Sequence, residues 1–263
     1  NIGRIFRDSD CDGNLDKEIS SGDYHSCGLK EDGSVDCWGS DNYGQSSPPS
    51  GSFVSVSAGS SHSCGIRQNG TLECWGIGTT SDDCSSYYED NECGQSSPPN
   101  GSFVDISSGY LHSCGIRSAG NVECWGADYS GQSSPPSGLF VSVSAGYLHS
   151  CGILIDGTVE CWGSDNYGQS SPPSGGFVSV SAGDLHSCGI RIDGSLECWG
   201  IDHGSSYYND YGQVTDTPSG SFVSVSSGSF HNCGIREDGS VECWGRDSSG
   251  QSSPPSGSFI SVS

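Results

Sequence analysis

The 263-residue sequence has no methionine, and it sets only nine lysines and arginines against 32 aspartates and glutamates, for a net charge of −23. That shortage of cations excludes nucleic acid and anionic lipid as partners, because both require a basic face. No apolar run approaches the roughly 18 residues that cross a bilayer as a helix, so no membrane insertion is expected. No segment carries a helical hydrophobic period of useful length. No secretory leader is visible. With no methionine even at position 1, the chain reads as a processed product or a segment of something longer. Hydrophobic residues make up 32% of the chain, and such a composition at high charge would by itself indicate disorder.

The order of the residues overrules the composition. One unit, SFVSVSAGSSHSCGIRQNGTLECWG, recurs six times and runs on into tails such as GSDNYGQSSPPSG. Its histidines are His25, His62, His112, His149, His186 and His231, spaced by 37, 50, 37, 37 and 45 residues. The period is therefore 37, with insertions of 13 and 8 residues after the second and fifth repeated tryptophans. Within a unit, Val54 and Val56 alternate with serine, a strand period. HSCGIR and TLECWG flank a turn-rich QNG, EDG or IDG, a hairpin pattern. GQSSPP then breaks the ladder, because proline has no N–H to donate. Units of about 40 residues with three or four strands indicate an all-β chain, a β-propeller.

Fifteen cysteines point to an oxidising compartment, hence to an extracellular or cell-surface protein. They also fix the hairpin register. A three-residue loop, Glu31-Asp32-Gly33 with the glycine left-handed, sets Leu29 opposite Val35 and Cys27 opposite Cys37. A two-residue loop would set Cys27 against Trp38. The longer loop brings two thiols within disulfide reach. The same arithmetic pairs Cys64 with Cys74, Cys114 with Cys124, Cys151 with Cys161, Cys188 with Cys198 and Cys233 with Cys243. Six hairpins thus carry one cross-strand disulfide each, with free thiols or metal ligands as the alternative. Cys84 and Cys93 bracket the first insertion and are expected to pair, leaving Cys11 odd.

The pattern Gly, His-Ser-Cys, Asp-Gly, Cys-Trp-Gly, Gly-Gln resembles the repeats of the regulator of chromosome condensation family, from Ser20 to Ser263. The cysteine-bearing version is similar to its secreted bacterial relatives. The resemblance implies a β-propeller, usually of about seven blades. It says little about activity, since members include exchange factors, enzyme inhibitors and surface proteins. Six complete hairpins are present here. Residues 1–19 read as an acidic N-terminal segment and 20–263 as the propeller, with insertions near 77–93 and 201–211. Six blades, or seven with an aberrant blade built from the termini, both fit. A third arrangement has Phe259–Ser263 completing the first blade of the next molecule, which would give a filament if the contact does not close.

Asp8, Asp10, Asp12, Asn14, Asp16 and Glu18 resemble the calcium loops of EF-hand, dockerin and thrombospondin type 3 repeats, with Gly13 at the sharp turn. The departure is at the twelfth loop position, where Ile19 stands and Glu18 falls one place early. Calcium is the expected ion, and a plain acidic turn is the alternative. The repeated histidines read as satisfying local backbone groups rather than holding a metal ring. Arg67–Glu73, Arg117–Glu123, Arg191–Glu197, Arg236–Glu242 and the weaker Lys30–Asp36 read as ion pairs across the hairpin.

Asn69 and Asn100 sit in glycosylation sequons. Both insertions carry Ser-Ser-Tyr-Tyr, so Tyr87, Tyr88, Tyr207 and Tyr208 are candidate contact residues. No nucleophile elbow, metal triad or phosphate loop occurs, and no enzyme is expected. The leading expectation is a secreted structural or surface propeller that joins to itself head to tail through Phe259 and Ile260. The alternative is a monomeric recognition module that binds a protein or glycan through its tyrosine-rich loops.

Overall fold

The structure, a computed structural model, describes residues 19–79, 93–201 and 210–263. The described chain is strand and turn throughout and forms six three-stranded antiparallel sheets, each with its strands in sequence order. These are the six propeller blades. Blade 1 holds Ile19–Ser21, His25–Leu29 and Val35–Gly39, and blade 2 holds Phe53–Ala58, His62–Arg67 and Leu72–Gly76. Blade 3 holds Phe103–Ser108, His112–Arg117 and Val122–Gly126, and blade 4 holds Phe140–Ala145, His149–Leu154 and Val159–Gly163. Blade 5 holds Phe177–Ala182, His186–Arg191 and Leu196–Gly200, and blade 6 holds Phe222–Ser227, His231–Arg236 and Val241–Gly245.

The hairpin between second and third strands closes through a three-residue loop. Lys30 N–H donates to Ser34 O at 2.8 Å, and Gly33, at φ 81°, carries the left-handed turn. The register puts Leu29 opposite Val35 and Cys27 opposite Cys37, and the same alignment recurs in the other blades. A disulfide links each pair: Cys27–Cys37, Cys64–Cys74, Cys114–Cys124, Cys151–Cys161, Cys188–Cys198 and Cys233–Cys243. Cys93 is disulfide-bonded as well. Cys84, its expected partner, and Cys11 lie outside the described residues. First and second strands pair through a bulge that skips Val54 between Phe53 and Ser55 and turns its side chain out of the ladder.

The chain divides into two compact units, Asn1–Val143 and Ser144–Ser263. In the first, Cys27 and Val35 of blade 1 pack on Phe53, Val56 and Trp75 of blade 2. Cys64 and Ile66 of blade 2 pack likewise on Phe103, Ile106 and Trp125 of blade 3. In the second unit, Cys151, Ile153 and Val159 of blade 4 meet Phe177, Val180 and Trp199 of blade 5. Cys188 and Ile190 of blade 5 meet Phe222, Val225 and Trp244 of blade 6. Each buried aromatic removes roughly 150–250 Å² from water, about 4–6 kcal/mol at ~25 cal/mol/Å². The core is therefore distributed between the blades, so few aliphatics suffice. The phenylalanine ring needs a bare neighbour: a Cβ on Gly65 would lie 2.6 Å from Phe53 Cδ1.

Two polar links cross each of these seams. The tryptophan indole donates to a glutamine carbonyl of the preceding blade, Trp75 to Gln45 at 2.9 Å, Trp125 to Gln95 at 2.9 Å, Trp199 to Gln169 at 3.0 Å and Trp244 to Gln213 at 3.0 Å. The histidine reaches forward instead. His25 Nε2 meets Ser63 Oγ at 2.6 Å, His62 meets Ser113 at 2.8 Å, His149 meets Ser187 at 2.8 Å and His186 meets Asn232 Oδ1 at 2.8 Å. This corrects the expectation of local backbone partners: the histidine's partner is a side chain one blade on. Ser63 Oγ donates its hydrogen to Gln45 O, so it accepts from His25, which places the proton on Nε2.

Candidate interaction surface

Each blade has two chemically different ends. At one end, the residue after the third strand donates its N–H to the residue before the second. Ser40 bonds Tyr24, Ile77 bonds Ser61, Ala127 bonds Leu111, Ser164 bonds Leu148, Ile201 bonds Leu185 and Arg246 bonds Phe230, all at 2.8–3.1 Å. The loop between first and second strands and the connection to the next blade therefore leave from the same end. The hairpin turns stand at the other.

The tyrosines sort completely by this geometry. All seven described tyrosines, Tyr24, Tyr43, Tyr110, Tyr129, Tyr147, Tyr167 and Tyr211, belong to those two loops. Tyr24 is 65% exposed, and Tyr43, Tyr129 and Tyr211 are each about 40% exposed. Tyr87, Tyr88, Tyr207 and Tyr208 lie outside the described residues, and their sequence positions fall within the same connections.

The connections are fixed by their own side chains. Gln45, 1% exposed, accepts from Tyr43 N–H at 2.9 Å, and Asp41 accepts from Ser46 N–H and Ser47 Oγ, each at 2.8 Å. The same clamps recur at Asp128, Asp165 and Asp247. Hydrogen bonds from Ser253 and Ser252 hold the Asp247 carboxyl below the usual carboxylate range. These aromatic loops thus stand on a rigid base.

The turn end holds the cations. Lys30, Arg67, Arg117, Arg191 and Arg236 pair with Asp36, Glu73, Glu123, Glu197 and Glu242. Sequence reasoning missed that each of the four arginines also lies over the phenylalanine of its first strand, 3.9–4.7 Å from the ring centroid. The turn carboxylates Asp32, Asp156, Asp193 and Asp238 are held low, chiefly by the following serine or threonine hydroxyl. Both sequons sit at this end. Asn69 is exposed and its Oδ1 accepts from Thr71 N–H at 3.0 Å and Oγ1 at 2.7 Å, while Phe103 beside the Asn100 sequon donates to Gly70 O. Arg246 is the described cation that has no ion pair. It lies at the tyrosine end, 5.2 Å from the Tyr211 ring centroid and 5.8 Å from that of Phe230.

No group of three or more metal-ligating side chains occurs among the described residues. The expected calcium ligands, Asp8, Asp10, Asp12, Asn14, Asp16 and Glu18, lie outside them. No described helix is long and apolar enough to cross a membrane. Phe259 is half-buried with its amide on Gly239 O at 2.8 Å, whereas Ile260 is 73% exposed and unpaired in any strand.

The blade geometry matches a known repeat. The model of the regulator of chromosome condensation (RCC1) repeat matches residues 17–45, 53–81, 103–132, 140–169, 177–213 and 222–251. The chain belongs to the RCC1 repeat family. No curated protein matches it. Among solved structures it is similar to the CRINKLY WD40 ectodomain of the Arabidopsis thaliana receptor kinase ACR4, with 27% identity and a TM-score of 0.66, covering 86% of this chain and 78% of that one. The ectodomain of the Physcomitrella patens receptor kinase CR4 matches with 28% identity and a TM-score of 0.68, covering 86% and 60%. This chain thus spans 60% of the moss ectodomain's length. Prp20p of Saccharomyces cerevisiae shares the fold at 18% identity and a TM-score of 0.67, covering 87% and 71%.

Proposed function

We propose that the chain is an extracellular, non-catalytic recognition propeller that holds a protein partner against the tyrosine-bearing end of its blades. One observation carries this reading: all seven described tyrosines stand in the two loops that leave the same end of each blade. Tyrosine offers a large amphipathic contact at low conformational cost, which suits it to binding loops on a fixed scaffold. Six disulfides support an oxidising compartment. The likeness to receptor kinase ectodomains supports an extracellular setting.

The charge selects the partner. At −23, with five of the six described cations held in ion pairs at the turn end, the chain favours a basic protein surface. Prp20p, a distant relative, has binding properties toward Gsp1p and histones.

The test is site-specific photo-crosslinking in native extracellular fluid, with the probe at position 43 or at position 156. Protein adducts from 43 and none from 156 are expected. Adducts from 156 alone, from both equally, or from neither overturn the reading.

A further inference from the structure

Asn100 interrupts the repeat at one point of one tail. The corresponding residues of the other five tails are Ser50, Ser137, Ser174, Ser219 and Ser256. Glycine follows it, and with no side chain on its successor an asparagine can close a ring on its own backbone. Six aspartate–glycine or asparagine–glycine pairs fall among the described residues. Asp32, Asn69, Asp156, Asp193 and Asp238 sit in hairpin turns, and Asn100 sits in the tail between blades 2 and 3.

Ring closure requires that the glycine nitrogen be free and that the side-chain Cγ swing onto it. The hairpin turns deny both. The glycine N–H donates to the carbonyl three residues back, Gly33 to Lys30, Gly70 to Arg67, Gly157 to Leu154, Gly194 to Arg191 and Gly239 to Arg236, at 2.8–2.9 Å. The side chain is held in the other direction. Asn69 Oδ1 accepts from Thr71 N–H at 3.0 Å and from Thr71 Oγ1 at 2.7 Å. The four aspartates accept from the matching amide and hydroxyl at 2.6–3.0 Å. The tail imposes neither restraint. Asn100 and Gly101 are both exposed. Among the described residues, neither the Asn100 side chain nor the Gly101 N–H has a hydrogen-bond partner. The backbone on either side is nevertheless anchored. The Asn100 carbonyl accepts from Arg117 Nη1 at 3.0 Å, and the Ser102 carbonyl accepts from Ser118 N–H at 3.1 Å. Two fixed points thus bracket one unrestrained peptide unit.

We propose that Asn100 is a site of intramolecular modification, at which the folded chain converts its own asparagine to aspartate and isoaspartate while Asn69 is preserved. The Gly101 nitrogen gives its proton to hydroxide and forms a bond to Asn100 Cγ. The Cγ–Nδ2 bond breaks, and Nδ2 leaves as ammonia with a proton from water. A second water opens the resulting succinimide at either carbonyl, which yields aspartate or isoaspartate. The net change is one water taken up and one ammonia released. Either product adds a negative charge beside Arg117, and isoaspartate also lengthens the backbone between the two anchors by one methylene.

Peptide mapping by mass spectrometry tests this on the full, disulfide-bonded chain held for weeks at pH 8. Asn100 is expected to convert at least about tenfold faster than Asn69, because the turn must first release its three hydrogen bonds. After reduction and unfolding in urea the two rates should converge, since nothing then restrains either pair. Glycine must stay at 101, where a Cβ would lie 1.9 Å from Arg117 Nη1, so the variant is made at 100. Asn100→Ser restores the residue of the other tails. It should remove the acidic species seen by isoelectric focusing and leave the urea midpoint unchanged. Equal rates in the folded chain, a faster Asn69 or an intact Asn100 overturns the proposal. So does an acidic species that persists in Asn100→Ser, or a glycan on Asn100 of the native protein, which would cap the leaving nitrogen.

Discussion

A histidine with its Nε2–H bonded across a seam and its Nδ1 buried without a partner has no room for a second proton. His62 and His186 are in that state. Burial holds His62 and His112 down to about 3 and His186 to about 4, against 6.5 in the unfolded chain. Burial also lowers His25 and His231. Between pH 6.5 and about 4 the unfolded chain therefore binds protons that the folded chain refuses, so stability falls as the solution is acidified. Each fully buried histidine adds a slope of up to ~1.4 kcal/mol per pH unit in that window and nothing above pH 7. Urea midpoints should be level from pH 8 to 7 and drop steeply by pH 5, and His62→Gln should flatten the drop. A level profile down to pH 5 would contradict the assignment. The depressed turn carboxylates act later: their contribution is complete above the usual carboxylate range and is lost only as pH falls through their lower folded values.

At the scale of the element, the hairpin is the part most legible from sequence. The left-handed glycine, the cross-strand cysteines and the Arg–Glu diagonals all lie within one short stretch of chain, so spacing alone determines who faces whom. Removing one bridge as Cys64→Ser/Cys74→Ser should cost about 2–3 kcal/mol in denaturant titration, because each closes a short loop. A cost below 1 kcal/mol would mean that the seam, and not the bridge, holds that hairpin. The seam was not legible. Sequence places Trp75 and Gln45 at repeated positions but gives no hint that one bonds the other across 30 residues. His25 and Ser63 are 38 apart and His62 and Ser113 are 51 apart, because insertions stretch some links and not others. The cation over each phenylalanine was hidden for a different reason: a bulge in the first strand sets Phe53 directly opposite Arg67 on the adjacent strand. The tyrosine end was half visible. The loops that hold the tyrosines could be read, but that both loops leave the same end of the sheet depends on hydrogen bonds that only the fold displays.

For the whole molecule, net charge governs the proposed association with a basic partner. A basic partner is drawn to a chain of −23 and should be released as salt rises, with the association rate falling most. Surface binding measured across 50–500 mM salt checks this. Binding that is unchanged or strengthened by salt would mean that net charge does not govern the contact.

The placement of the disulfides has a further consequence for how such a chain is made. Six near-identical hairpins offer many plausible wrong neighbours, since any blade's strand resembles every other's. Each cysteine's correct mate lies ten residues away. A nascent hairpin can therefore oxidise correctly before it has met another blade. The repetition that would confuse assembly is resolved one turn at a time, and the fidelity of the finished molecule is set locally during synthesis rather than by searching among look-alikes at the end.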